Sequence, residues 1–233
     1  FDPFGFVGIG SVQQLTINAS GNTVLKSAFG SNPNTVQRVS NSVQYLLPKN
    51  NLGFDGNVQY SFKEGGLASN DQHRAYGARL GYRWDKLYVS GATMRTNDSN
   101  ITNGSFKDNE LGAIYDASVV KVYAAARKYE YLDASQTMTL LAAEAPFGPH
   151  EVKAMWMRAK GGGTIGAANL DSNRADQFSL GYVYNFSKNT RLFATYATVR
   201  NKGGSRFAVL GALATTANGQ SSSGFDAGMN KSF

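Results

Sequence analysis

The run Gln177–Phe186, QFSLGYVYNF, sets Phe178, Leu180, Tyr182, Tyr184 and Phe186 on one parity and Gln177, Ser179, Gly181, Val183 and Asn185 on the other. Alternation of period two marks a strand with two unlike faces. The pattern recurs at a steady beat, with Gly, Asn, Asp and Ser clusters between the runs. It predicts eleven strands, near Arg38–Leu47, Phe54–Phe62, His73–Trp84, Leu87–Thr96, Glu110–Tyr115, Val119–Tyr131, Thr137–Ala145, Glu151–Lys160, Gln177–Phe186, Arg191–Asn201 and Phe225–Phe233. Helical periodicity is absent, and the Gly- and Asn-rich stretch Phe1–Gln37 reads as a long loop.

The connections constrain the fold further. Short ones are PKNNLG, Asp85–Lys86, Asp116–Ser118, PFGPH and SKN. Long ones are KEGGLASNDQ, NDSNITNGSFKD, GGGTIGAANLDSNRAD and KGGSRFAVLGALATTANGQSSSG, with LDASQ the compact exception. Short and long alternate. A meander with short turns at one end and long loops at the other is the layout of a transmembrane antiparallel β-barrel. A soluble sandwich with one wet face also alternates, but has no reason to keep that order. Its wet face would be dense in Lys and Glu. Here the polar parity is Gly, Ser, Asn, Gln and Arg, which suits a water-filled lumen. In His73–Trp84, Tyr76, Ala78, Leu80, Tyr82 and Trp84 oppose His73, Gly77, Arg79, Gly81 and Arg83. In Val119–Tyr131, Lys121, Tyr123, Arg127 and Tyr129 oppose Val120, Val122, Ala124 and Ala126. Arg191–Asn201 is mixed on both parities. Aromatics gather near strand ends, where membrane interfaces hold them.

Composition narrows the partners. No run approaches the roughly 18 apolar residues of a membrane helix. Cysteine is absent, so there is no disulfide framework and no Cys-based metal site. The net charge of +7 is compatible with nucleic acid, acidic surfaces or anionic solutes. No basic and apolar leader opens the chain, and FDPFGFVGIGS reads as the middle of a longer or processed protein.

Three segments carry a resemblance. RVSNSVQYLLPKNNLGFDGNVQYSF resembles the strand–turn–strand that follows the constriction loop of trimeric general diffusion porins of Gram-negative outer membranes, in their beta-proteobacterial, anion-selective branch. LGYVYNFSKNTRLFATYATVRNK is similar to the penultimate hairpin of that family, with Phe186 and Asn189 where Leu and Arg are usual. GMNKSF is similar to its last strand, with Asn230 and Lys231 in place of Arg and His. The resemblance runs over about residues 1–233. It implies a barrel of sixteen strands in the intact protein, of which this chain supplies the eleven after the constriction loop. Eleven strands leave unpaired edges in lipid, so an N-terminal fragment of the same porin is expected to close the barrel. Residues 1–37 are then the constriction-loop segment, carrying Asp2 and Lys26, and residues 38–233 the C-terminal strands of a single barrel domain. Phe233 would be the assembly signal read by the barrel-insertion machinery. The implied partners are two further copies in a homotrimer, outer-membrane lipid, lipopolysaccharide and small anionic solutes. Nucleic acid is not expected.

Such a protein is no enzyme; its function is a hole with a shaped field. Low-dielectric walls focus the potential of a few charges at the neck, and Arg stays charged at any relevant pH. Arg38 matches the lumen-facing basic position of the family, with an ion pair to the loop as its structural alternative. Arg79, Arg83, Lys121, Arg127 and Lys153 fall on polar parities, where they either line the path or pair with carboxylates at a rim. Positive excess implies a preference for anions. The two histidines, His73 and His150, lie at strand or turn ends without a Gly-x-Ser elbow, which disfavours a lipase. GGGTIG (Gly161–Gly166) fits a phosphate-loop spacing but precedes no helix, so it reads as loop glycine. Asn18-Ala-Ser20 and Asn100-Ile-Thr102 are formal sequons with no meaning in a bacterial envelope. No cofactor is expected. Asp98, Asp108, Asp171 and Asp176 in the long loops could hold Ca²⁺ against lipopolysaccharide phosphates, although ordinary solvated loop acids are the favoured reading of them. The alternatives are a soluble all-β module that binds an anionic oligonucleotide or glycan, and a barrel serving as a specific transporter or lipase.

Overall fold

The computed structural model describes residues 1–5, 8–18, 21–29, 38–62, 74–97, 104–209 and 217–232. Two short helices, α1 (Gln13–Thr16) and α2 (Thr23–Phe29), precede the strands β1 (Ser42–Leu46), β2 (Phe54–Ser61), β3 (Ala75–Trp84), β4 (Leu87–Asn97), β5 (Ser105–Asp116) and β6 (Lys121–Tyr131). The chain continues through β7 (Ala134–Phe147), β8 (His150–Ile165), β9 (Ala168–Asn169), β10 (Arg174–Ser187), β11 (Thr190–Lys202) and β12 (Ser222–Lys231). Each long strand pairs antiparallel with the next one in sequence, and β9 pairs back on β8 as a two-residue hairpin arm. The sheet is open: β1 and β12 are its edges.

All eleven expected strands are present, and most are longer than alternation alone marks. β5 starts at Ser105 rather than Glu110, because Phe106 and Asp108 carry on the pairing opposite Thr96 and Met94. β8 runs on to Ile165 and β10 begins at Arg174. Gly161–Ile165 is thus ladder, paired with β7 and β9, and not a loop. Glycine hides strand character there, since it has no side chain to show a parity. Arg38 is not in a strand, as β1 begins at Ser42. The first 37 residues are not all loop either: α2 is capped by Asn22, whose Oδ1 accepts the Leu25 N–H at 3.0 Å, a side-chain cap that settles one orphan donor.

The turn chemistry matches the layout. Asp85–Lys86, Gly148–Pro149 and Lys188–Asn189 close two-residue hairpins at one end of the sheet. Asp85 has φ 49°, the left-handed backbone that a tight hairpin turn requires and that Asp tolerates. At the other end, the connections are longer, save Leu132–Asp133.

The two faces of the sheet differ in kind. The described parts of residues 1–29 pack against one face, here called inner, and bury Leu15, Val24, Leu25 and Ala28 against Phe106, Tyr129, Met138, Leu140, Met155 and Met157. The opposite face leaves large apolar groups open: Trp84 is 69% exposed, Leu111 61%, Leu180 57%, Phe186 71% and Phe225 68%. Apolar area on that scale costs about 25 cal/mol per Å² in water, and a contiguous exposed patch of this kind marks a lipid or protein surface. Outward aromatics at the short-turn end, Phe54, Tyr82, Trp84, Tyr115, Phe147 and Phe186, form the interfacial girdle of such barrels. Among the described residues no helix is long and apolar enough to cross a membrane; the strands are the crossing elements. A soluble module would not leave this face bare.

Candidate functional site: the inner wall and its inserted segment

Strand parity and register assign the inner wall. Cα partners share a face, so the row Asn57, Arg79, Ala92 and Glu110 continues to Arg127 and Met138. The rows below it bring in Asp55, Gly81, Ser90 and Gly112. Arg79, Arg83, Lys121, Arg127 and Lys153 all fall on this face, as their parity predicts. Arg191 joins them through its pairing with Asn185 and Asn230.

Most of these cations are held by carboxylates. The Arg127 guanidinium donates to Asp108 through Nε at 2.8 Å and through Nη2, and sits 3.6 Å from Glu110. The fork geometry makes this a bidentate, charge-assisted pair. Arg79 contacts Asp55 and donates to the Tyr88 hydroxyl at 2.8 Å, and that hydroxyl donates to Asp55 at 3.2 Å. Lys121 lies 3.0 Å from Glu144 and 3.9 Å from Asp116. Lys153 lies 2.8 Å from Glu151 and donates to the Pro3 carbonyl at 2.8 Å. Arg83 instead stacks over the Tyr88 ring, 4.8 Å from its centroid. Six inner-wall cations (Arg79, Arg83, Lys121, Arg127, Lys153, Arg191) thus face seven carboxylates (Asp55, Asp108, Glu110, Asp116, Glu144, Glu151, Asp226). The positive surplus of the sequence does not sit on this wall.

The inserted segment is fixed by side-chain amides aimed at its backbone. Gln177 Nε2 donates to the Ser11 carbonyl at 2.9 Å and lies 3.3 Å from that of Gly10. Gln136 Nε2 donates to the Leu15 carbonyl at 3.2 Å. These contacts satisfy backbone groups that would otherwise be buried unpaired. Asp2 closes the start of the segment by accepting the Phe4 N–H at 2.9 Å and the Val12 N–H at 3.0 Å. Burial pushes its carboxyl above the ordinary aspartate range, and the two N–H donors only partly offset that. Wall glycines make room for the segment: a Cβ on Gly181 would meet the Phe4 ring at 2.7 Å, and one on Gly112 the Phe1 ring at 2.5 Å. Asn201 ties in the long connection before β12, donating to the carbonyls of Phe207 at 2.8 Å and Gln220 at 2.6 Å. Its Phe207 packs on Gly21.

Water-accessible recesses remain on both sides of the segment. One is lined by Phe29, Asn57, Gln59, Arg79, Asp108 and Arg127. Another is lined by Phe4, Lys153, Arg191, Phe193, Asp226 and Asn230.

Several expected placements change. Arg38 lies exposed in coil before β1, not on a strand facing the lumen. Asp2 lies in the segment packed on the inner face, and Lys26 is exposed on α2. Asp108 and Asp176 are strand residues engaged by arginines rather than loop acids open to Ca²⁺. Among the described residues no group of acids and histidines could hold a metal ion. Asp98, His73 and Phe233 lie outside the described residues. Gln136, Gln177 and Asn201 were missed. They share the inner parity, but nothing in a sequence tells an anchoring amide from a wet one.

A sequence profile of Gram-negative porins matches residues 1–204. The outer membrane porin protein 32 of Delftia acidovorans is 28% identical over 222 residues, which is 87% of this chain and 56% of that protein. The in-vitro folded OmpT of Vibrio cholerae superposes with a TM-score of 0.61 at 15% identity, over 82% of this chain and 63% of that one. The trimer form of OmpT gives 0.53 at 13% identity, over 81% and 64%. The chain therefore spans a little over half the length of that porin and under two thirds of those solved chains, at identities where the structural likeness speaks to the fold alone. An antiparallel sheet apolar on its outer face, a charged inner wall with an inserted segment, and a profile match over most of the chain converge: the chain belongs to the Gram-negative porin family of outer-membrane β-barrels, which are channels and not enzymes.

Proposed function

We propose that the protein forms a water-filled channel for passive diffusion of small hydrophilic solutes, with the segment at residues 1–37 narrowing the path. The observation that carries this reading is the pairing of a charged, hydrogen-bonding inner wall with an outer face of exposed Leu, Phe and Trp. Water inside and hydrocarbon outside are the two solvents that such a sheet satisfies. Sixteen strands in the intact barrel, with the missing ones between β1 and β12, fit the open edges and the share of its relatives that this chain covers. A homotrimer is the proposed assembly, in keeping with the trimer form of OmpT.

We further propose that the pore prefers anions. Arg79, Lys121, Arg127 and Lys153 are held by carboxylates and act on a passing ion as local dipoles. Lys26, Arg38, Arg83 and Arg191 have no carboxylate partner among the described residues, so no neighbouring carboxylate offsets their field. Asp226 works against them. Reversal potential across a planar bilayer under a KCl gradient, on protein taken from outer membranes, tests both levels. Stepwise channels with a chloride-directed potential, weakened in Arg38→Ala and Arg83→Gln, are expected. A cation-directed potential overturns the anion preference, and failure to form channels overturns the diffusion pore.

A further inference from the structure

On the short-connection side of the inserted segment, β10, β11 and β12 set a graded surface on the inner wall. The outermost row is Asn185, Arg191 and Asn230. The next holds Val183, Phe193 and Gly228, and the one after it Gly181, Thr195 and Asp226. Arg191 is exposed and stands between two amide side chains. The Asn185 amide is engaged, since Nδ2 donates to the Pro149 carbonyl at 3.2 Å. Arg191 and the exposed Asn230 then form a pair of planar donors suited to a carboxylate. Phe193 supplies an apolar wall beside them. Phe106, Tyr123 and Tyr129 on the inner wall are buried, whereas Phe193 is only half-buried. Its ring reaches across the ladder over Gly228, where a Cβ would meet it at 2.8 Å. The Phe4 ring closes the recess from the segment side. It is seated between Gly10 and Gly181, where a Cβ would meet it at 2.5 Å and 2.7 Å. A ring left half open on a water-facing wall gains when a second apolar ring covers it.

Charge along the recess is uneven. Lys153 is held by Glu151 and by the Pro3 carbonyl, each at 2.8 Å. Asp226 accepts the Ile9 N–H at 3.4 Å, and its other carboxylate oxygen is unpaired among the described residues. The outer end is therefore positive and the inner end negative. Rows on one face are about 7 Å apart along a strand. A carboxylate at Arg191 thus sets a directly attached ring beside Phe193, and a second carboxylate across that ring would be carried toward Asp226. The recess measures about 320 Å³, at the small end of ligand pockets, which span roughly 300–1,000 Å³. We propose that it is a solute subsite for aromatic monocarboxylates, with the carboxylate on Arg191 and Asn230 and the ring on Phe193, in front of Phe4. The proposal rests on the channel reading and names a substrate class for it.

Protein taken from outer membranes is recorded as single channels in KCl, with benzoate added to both sides. Benzoate is expected to reduce the current saturably, and acetate and terephthalate to do so much more weakly. The half-saturating concentration should rise about tenfold in Arg191→Gln, by loss of a charge-assisted contact, and about threefold in Phe193→Leu, by loss of ring stacking. Stepwise channels in KCl alone show that both variants assemble. Block by acetate or terephthalate as tight as that by benzoate overturns the aromatic monocarboxylate. Block unchanged in both variants overturns the place. Stepwise channels indifferent to benzoate overturn the subsite and leave the diffusion pore standing, whereas no stepwise channels in KCl alone overturns the pore. Saturation-transfer NMR of the benzoate ring protons, on the same protein in detergent, reads binding without conduction. Transfer that is lost in both variants supports the subsite, and equal transfer in the variants overturns it.

Discussion

Asp108 and Arg127 stand on neighbouring strands, offset by one row, so that the carboxylate reaches the guanidinium diagonally. Both are largely covered, with side chains 11% and 20% exposed. The pair is therefore a charge-assisted contact away from bulk screening, whereas Arg79 and Asp55, at 40% and 45%, are wetter and weaker. Asp108→Asn leaves the Arg127 charge in place without its fork partner. It is expected to cost about 1–3 kcal/mol of stability. It should also raise the anion-to-cation permeability ratio by about two- to fivefold, the scale of one unit charge several ångströms from the path. Unfolding in denaturant and reversal potential, measured on one preparation, check the two effects separately. The inner parity of Arg127 was legible in its strand. Its partner was not, because Asp108 falls beyond the stretch where alternation is plain.

Helix α2 is the element on which the proposed narrowing depends. Its seven residues are too short to be stable alone, and it persists because Val24, Leu25 and Ala28 are buried on β6 and β7. Leu25 is fully buried, so Leu25→Ala is expected to cost about 2–5 kcal/mol by transfer and cavity terms. The loss should fall on the inserted segment before the barrel. Single-channel records should then show larger and noisier conductance with unchanged heat stability of the β signal in circular dichroism. Unaltered conductance would mean that the segment does not narrow the path. Sequence periodicity missed α2 because its apolar face is four residues long and set in Gly, Asn and Ser. The cap at Asn22 and the fit against the wall make it a helix. The strands were legible because period-two alternation persists over most of each strand wherever side chains are large.

At the scale of the molecule, the open sheet is the decisive feature. The outer edges of β1 and β12 carry backbone groups without ladder partners in the sheet, and unpaired groups in hydrocarbon cost several kcal/mol each. Residues 1–233 refolded alone in detergent are expected to give strand signal but no stepwise channels. Refolding together with the strands that close the sheet should restore them. Channels from residues 1–233 alone would mean that β1 and β12 pair with each other or with another copy.

The sequence by itself determined the strands, their order, their two faces and the membrane they suit, because alternation and turn spacing are local and each strand repeats them. It also carried the net charge of +7, but not its location. Only the tertiary structure decided that the inner wall is nearly balanced and that the surplus lies elsewhere. Register decides this: a side chain's electrostatic neighbours lie across the ladder, and the number of residues between two strands does not fix which of their side chains come to stand side by side.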